Sequence, residues 1–116
     1  MDFGLHIREA RERLCATDKA FSLRQVAIRI EVEPAYLSKI ERGIFPPPSE
    51  DVIVKLAEVL DQNPDVLLAL AGKLSSDLRQ IIIRRPKVFA ELLRQLRKAP
   101  DHAILRVVRE VKDGNW

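Results

Sequence analysis

Apolar residues recur at three- and four-residue spacing along almost the whole chain, a period that predicts helices throughout. Leu5, Ile7, Ala10 and Leu14 mark a first helix from about Gly4 to Leu14, with Arg8, Glu9, Arg11, Glu12 and Arg13 on its other faces. Ser22 offers a capping oxygen to a second helix, Leu23 to Ile30, whose Val26, Ala27 and Ile30 share a face. Pro34 at a first helical position opens a third helix that reaches Glu41 and stops before Gly43. Phe45, Pro46, Pro47 and Pro48 then form an extended connection, because proline locks φ and lacks an amide donor. Ser49 caps a fourth helix, with Glu50 and Asp51 complementing its positive end and Leu56, Ala57 and Leu60 turned inward. The run Asn63, Pro64, Asp65 starts a fifth helix that Gly72 ends.

Beyond Gly72 the pattern changes character. Leu78, Ile81 and Ile82 form one stripe, Val88, Phe89, Leu92, Leu93 and Leu96 a second, and Ala103, Ile104, Val107, Val108 and Val111 a third. Pro86 and Pro100 divide them. A segment this short is near the size at which a core cannot stand alone, so the stripes need cover. The cover is the first domain, a second copy of the chain, or another protein. In a two-fold contact, Phe89, Leu92, Leu93 and Leu96 meet their equivalents, with Ile104, Val107, Val108 and Val111 packed beside them. The expected organisation is therefore all-α, with one domain over residues 1–72 and a helical dimerisation or partner-binding segment over residues 73–116.

Composition agrees with the helical reading, since aromatics are only 5% of the 116 residues while Leu, Ile, Val, Ala, Arg and Glu dominate. Two full-sized enzyme domains do not fit in such a length. Cys15 is the sole cysteine, so no internal disulfide forms, and no apolar run approaches a membrane span of about 18 residues. Without a signal peptide, a reducing cytoplasm is the expected compartment.

The net charge of +3 hides a strong asymmetry. Residues 1–43 hold 8 Lys and Arg against 7 Asp and Glu, residues 44–72 hold 1 against 5, and residues 73–116 hold 11 against 5. Segments at +1, −4 and +6 describe a chain that meets a polyanion or an acidic partner with one face, or else a well-solvated surface.

Residues 23–43, LRQVAIRIEVEPAYLSKIERG, resemble the helix-turn-helix of the phage-repressor-like (Cro and Xre) DNA-binding family. Ala27 stands where that family has a small residue at the helix crossing, Leu37 and Ile40 match the buried anchors of its second helix, and Glu41, Arg42 and Gly43 its usual ending. With the helices around it, the resemblance covers residues 5–72 and implies a five-helix lambda-repressor-like domain. It further implies base reading by Glu33, Pro34, Ala35, Ser38 and Lys39, and an ion pair between Arg11 and Glu41 that braces the recognition helix. Arg8 is the other partner open to Glu41.

The physics of groove recognition is consistent with those positions. An α-helix fits the B-DNA major groove, about 12 Å wide, and with Leu37 and Ile40 inward, Ala35, Ser38 and Lys39 point out. Lys39 can donate to guanine O6 and N7, Ser38 can bond either kind of base, Ala35 can touch a thymine methyl, and Glu33 can accept from cytosine N4 or repel phosphate. So sparse a reader leans on groove shape and operator symmetry. Phosphate contacts are expected from Arg24, Gln25, Tyr36, Arg42 and the amides of residues 42–45. Arg24 and Arg42 also read as solvated surface, and Tyr36 as packing.

Two departures from the family pattern stand out. The stretch Cys15 to Phe21 exceeds the usual link between the first two helices, which lengthens the first helix or makes a loop protrude. Glu31 occupies a position where the family often has a left-handed glycine, which costs a residue with a Cβ about 1–2 kcal/mol.

Other chemistry is thin. His6, His102 and Cys15 lack metal-ligand spacing, no glycine-rich phosphate loop occurs, and no cofactor is expected. Arg84, Arg85 and Lys87 form a solvated elbow or an extra phosphate contact, and Trp116 is a frayed end or an anchor for a partner. The expectation is a dimeric, sequence-specific transcription regulator, a repressor that binds double-stranded DNA at an inverted repeat. The rival reading is an antitoxin-like or inhibitor protein that holds a partner through residues 73–116 and autoregulates through DNA. An enzyme is not expected, because no convergent carboxylate or metal set is present.

Overall fold

The computed structural model describes residues 2–114 and 116, and these form helices with no strand among them. They divide into two compact units, one ending at Ser76 and the other starting at Asp77.

The first unit holds α1 (Phe3–Cys15), a 3₁₀ turn (Lys19–Phe21), α2 (Leu23–Arg29), α3 (Pro34–Glu41), α4 (Glu50–Val59) and α5 (Pro64–Leu70). Asp2 caps α1 by accepting from the Leu5 amide. The inward face of α1 is Phe3, Ile7 and Ala10, while Leu5, expected in that stripe, is exposed. Two residues of α-helix rotate the side chain by about 200°, so Leu5 and Ile7 cannot share a face once Phe3 and Ile7 do.

The long link after α1 is neither a longer arm nor an open loop. Thr17 and Asp18 amides donate to the Leu14 carbonyl, and Asp18 Oδ1 accepts from Ala20 N at 2.9 Å, which starts the 3₁₀ turn. Phe21 at its end packs against the core, and the Arg29 guanidinium lies 4.6 Å from the Phe21 ring centroid.

Four of these helices close in the same way. After α2, α3, α4 and α5 the residue beyond the cap has positive φ, at Glu31, Gly43, Asp61 and Gly72. The next amide reaches back to the carbonyl five residues earlier: Val32 to Ala27, Ile44 to Lys39, Gln62 to Ala57 and Lys73 to Leu68, at 2.8–3.0 Å. This double-bonded ending satisfies carbonyls that the helix itself leaves free. Glu31 takes the left-handed conformation, at φ 61°, and its carboxylate meets Lys55 of α4 at 2.5 Å.

Ser22 and Asn63 cap their helices as expected, accepting from Gln25 N and from Asp65 N and Val66 N. Ser49 precedes α4 but makes no side-chain capping bond, and Glu50 and Asp51 supply negative charge to that end. The core gathers Ile7, Val26, Ile30, Leu37, Ile53, Leu56, Leu60, Leu67 and Leu68, all almost fully buried. The unit continues past Gly72, because Lys73 Nζ donates to the Pro48 carbonyl at 2.8 Å and Ser76 Oγ reaches Glu50 Oε2 at 3.1 Å.

The second unit takes all but the first residue of α6 (Ser76–Arg84), with α7 (Pro86–Leu96) and α8 (Asp101–Asp113), and these helices follow the three stripes. Pro86 stands at the first position of α7, and Gly114, at φ 68°, closes α8. No described residue beyond Leu68 is buried. Leu78, Ile82, Phe89, Leu92, Leu96 and Ile104 are half-covered, whereas Ile81, Val88, Leu93, Val107, Val108 and Val111 are exposed.

Candidate nucleic-acid interface

The helix-turn-helix is α2, the turn through Glu31 and α3. Ala27 is fully buried between the helices, where a larger side chain would force them apart, and Leu37 and Ile40 anchor α3 from below. A second close approach fixes the far end of α3. A Cβ built on Gly4 of α1 would lie 2.2 Å from the Ile40 carbonyl oxygen and 2.9 Å from that of Glu41, so only glycine lets α1 pass there.

Beside this contact sits a buried ion pair. Arg11 Nε donates to Glu41 Oε2 at 2.7 Å and Nη2 to Oε1 at 2.9 Å, a two-pronged bond, while Nη1 donates to the Phe21 carbonyl at 3.3 Å. Arg11 is 9% exposed and Glu41 6%, so the pair is shielded from water. Its hydrogen bonds to Glu41 hold the Arg11 guanidinium above its ordinary pKa, outweighing the burial that opposes it. Arg8 pairs with Glu12 instead, one turn along α1 at 2.9 Å. One residue thus ties together α1, the end of the 3₁₀ turn and the end of α3.

With that end pinned, α3 turns a polar edge outward. Glu33 and Ala35 are exposed, and Pro34, Ser38 and Lys39 are half-exposed. Arg24 and Gln25 are exposed on the first turn of α2. Arg42, just past α3, is exposed and its Nε donates to the Ser38 carbonyl at 3.4 Å. A hollow lined by Arg8, Arg11, Glu12, Leu23, Ser38, Glu41 and Arg42 adjoins this edge. Tyr36 is half-buried against the core, its ring centroid 5.9 Å from that of Phe45.

The amides of residues 42–45, expected at phosphates, instead donate to the carbonyls of Ser38, Ile40 and Lys39, and the side chain of Phe45 was not legible as part of this surface. Its ring centroid lies 5.0 Å from Lys39 Nζ, and with Ile44 it sets two exposed large apolar side chains just beyond the Arg42–Gly43 ending of α3. The signal available in the sequence was that pair standing between a helix-ending glycine and three prolines, an uneconomical place for apolar residues with nothing to meet.

The remaining candidates are dispersed. His6 Nε2 contacts Gln62 Oε1 at 3.3 Å, Cys15 is a half-buried free thiol, and among the described residues no three His, Cys, Asp or Glu side chains gather to hold a metal. Arg84, Arg85, Lys87 and Trp116 are exposed. No helix among the described residues is long and apolar enough to cross a membrane.

A short helix braced by a second, on a five-helix scaffold with its polar edge outward, is the architecture of Cro/Xre-like helix-turn-helix regulators. A helix-turn-helix domain family model matches residues 2–71, more than half of the chain, and the chain belongs to that family. Two relatives, from two strains of Mycobacterium tuberculosis and each named an uncharacterized HTH-type transcriptional regulator, are 41% identical to it over 66 residues. That stretch is 53% of this chain and 46% of theirs, so the chain spans about half the length of the curated relatives it matches. No solved structure matches significantly.

Proposed function

We propose that the chain is a sequence-specific, double-stranded-DNA-binding transcription regulator that acts in the cytoplasm as a dimeric repressor, occupying DNA that polymerase needs. The observation that carries this reading is the pinned and outward-facing α3. Arg11, Glu41 and Gly4 fix its C-terminal end, while Glu33, Pro34, Ala35, Ser38 and Lys39 line an edge that the core does not use. These five residues read bases in the major groove, and Arg24, Gln25 and Arg42 hold phosphates. Tyr36 presents its hydroxyl to the backbone while its ring packs on Phe45.

One recognition helix covers only a few base pairs, so useful affinity needs two linked copies. The apolar stripes of the second unit, none of whose residues is fully buried, supply the link: Phe89, Leu92, Leu93 and Leu96 of α7 meet their two-fold equivalents, with Ile104, Val107, Val108 and Val111 of α8 beside them. No cofactor, metal or catalytic group enters this function. The exposure of Leu93, Val107, Val108 and Val111 also favours a second reading, in which residues 73–116 hold a different protein and DNA binding serves autoregulation. Copurification of the native chain with a second protein in fixed ratio selects that reading; a pure homodimer rejects it.

The test of DNA reading is selection of bound fragments from the host genome, followed by affinity measurements on the selected site. Lys39→Ala relaxes preference at one half-site position, at a cost of about 1–3 kcal/mol. Arg42→Ala weakens all sequences alike and lowers the salt slope by about one unit. If both variants change affinity by the same factor for selected and random DNA, these assignments fail.

A further inference from the structure

The chain that leaves α3 folds back on it. Ile44 N and Phe45 N both donate to the Lys39 carbonyl, at 2.9 and 3.2 Å, with the reversal made at Gly43, φ 75°. The first bond belongs to the helix ending; the second is additional and lays Phe45 alongside Lys39. Pro46, Pro47 and Pro48 follow, the last of them buried, so the backbone on the far side of Phe45 is stiff and anchored. Phe45 is 39% exposed, and its ring sits 5.0 Å from the Lys39 ammonium and 5.9 Å from the Tyr36 ring, tilted by 47°. Tyr36 and Lys39 are three residues apart on α3, so they lie one above the other on the face that Phe45 covers.

Lysine is a point charge on a flexible four-carbon stem, with no fixed fork to match a base edge. A base-reading lysine therefore needs something to direct it. An aromatic face attracts a cation from one side while leaving its other donors free, and at an exposed site it does so weakly enough not to withhold the charge from a better acceptor.

We propose that Phe45 is a positioning residue for sequence reading: its ring, braced by Tyr36, holds the Lys39 ammonium at the outer edge of α3, so that preference at one base pair depends on both residues together. The proposal rests on the reading of Lys39 as a base-contacting residue. Phe45 itself need not touch DNA.

The experiment uses the full chain and the fragment selected from the genome, with each base pair of a half-site changed in turn. Lys39→Ala, Phe45→Leu, Phe45→Trp and the double variant Lys39→Ala/Phe45→Leu are compared, each checked for an unchanged thermal transition. Leucine keeps an apolar side chain of roughly similar size without the electron-rich face of a ring; tryptophan keeps and strengthens that face. The expected result is that Phe45→Leu lowers preference at the position Lys39→Ala flattens, and only there, by about two- to fivefold, the size of an exposed cation–aromatic contact. Affinity for unrelated DNA stays unchanged, Phe45→Trp keeps the preference, and the double variant is no worse than Lys39→Ala alone. The proposal is overturned if Phe45→Leu weakens every sequence equally, leaves that preference intact or sharpens it, or if the two losses multiply in the double variant. If Lys39→Ala flattens no position, the reading of Lys39 falls and takes this proposal with it. A flattening by Lys39→Ala without one by Phe45→Leu removes the proposal alone.

Discussion

Replacing Arg11 by methionine isolates the contribution of the pair that fixes the recognition helix. The substitution keeps a flexible apolar side chain but leaves the Glu41 carboxylate, 6% exposed, without the two bonds at 2.7 and 2.9 Å that satisfied it. Breaking a buried pair from one side costs about 3–5 kcal/mol, because the surviving charge must be neutralised or dragged to water. The Phe21 carbonyl also loses its donor at 3.3 Å, worth about 1 kcal/mol. Arg11 lies at the rim of the core, so some water reaches Glu41 once the guanidinium is gone, and about 3 kcal/mol is the expected loss. At about 0.05–0.15 kcal/mol per residue, a unit this size has roughly 4–11 kcal/mol in all. Urea unfolding of the full chain at neutral pH, followed by circular dichroism, resolves such a change. The double variant Arg11→Met/Glu41→Leu removes both charges together and should recover at least about 2 kcal/mol of that loss, since an apolar replacement of both partners is often neutral. A loss under about 1 kcal/mol for Arg11→Met, the value of an exposed pair, would refute the reasoning, as would strict additivity in the double variant.

Three further outcomes follow from the same geometry. Gly4→Ala places a methyl 2.2 Å from the Ile40 carbonyl oxygen, so it should cost at least about 1–3 kcal/mol and weaken DNA binding; an unchanged melting temperature contradicts this. Glu31 is held below the usual carboxylate range by its hydrogen bond to Lys55, so its contribution is complete above the unfolded value near 4.5 and is lost as pH falls through the lowered folded value. Lys55→Met should therefore flatten that part of the acid limb of a stability–pH curve, and a curve of unchanged shape counts against the contact. Truncation after Ser76 should leave a folded monomer that binds the selected site weakly in sedimentation and binding assays; a persistent dimer places the two-fold contact elsewhere.

The sequence signals that held were those with a local mechanism. Pro34 starts a helix by its fixed backbone and Asn63 by its side-chain oxygen, and Ala27, Leu37 and Ile40 announce their burial through spacing within a single turn. The Arg11–Glu41 pair was available only through the family resemblance, because its partners stand thirty residues apart. Signals depending on phase or on distant partners failed. Leu5 and Phe3 compete for one stripe, and only the docking of α1 on α3 at Gly4 decides between them. Ser49 has the right position for a cap but not the bond. The compact path from Cys15 to Phe21 depends on Asp18 capping a 3₁₀ turn, a choice that residue makes only once Phe21 has a core to enter. Phe45 looked like a connector because its partner, Lys39, is reached only after the chain reverses at Gly43. In residues 77–116 the stripes were plain, but which edge of each stays open depends on how the helices turn.

Hydroxyl-radical footprinting of the full chain on a fragment selected from the host genome, with affinity measured beside random duplex DNA at the same salt, tests the central claim most directly. The account predicts protection at two inverted half-sites centred about 10–10.5 base pairs apart, on one face of the duplex, and at least about a thousandfold preference for the selected site. Equal affinity for selected and random duplexes, with no bounded footprint, would contradict it.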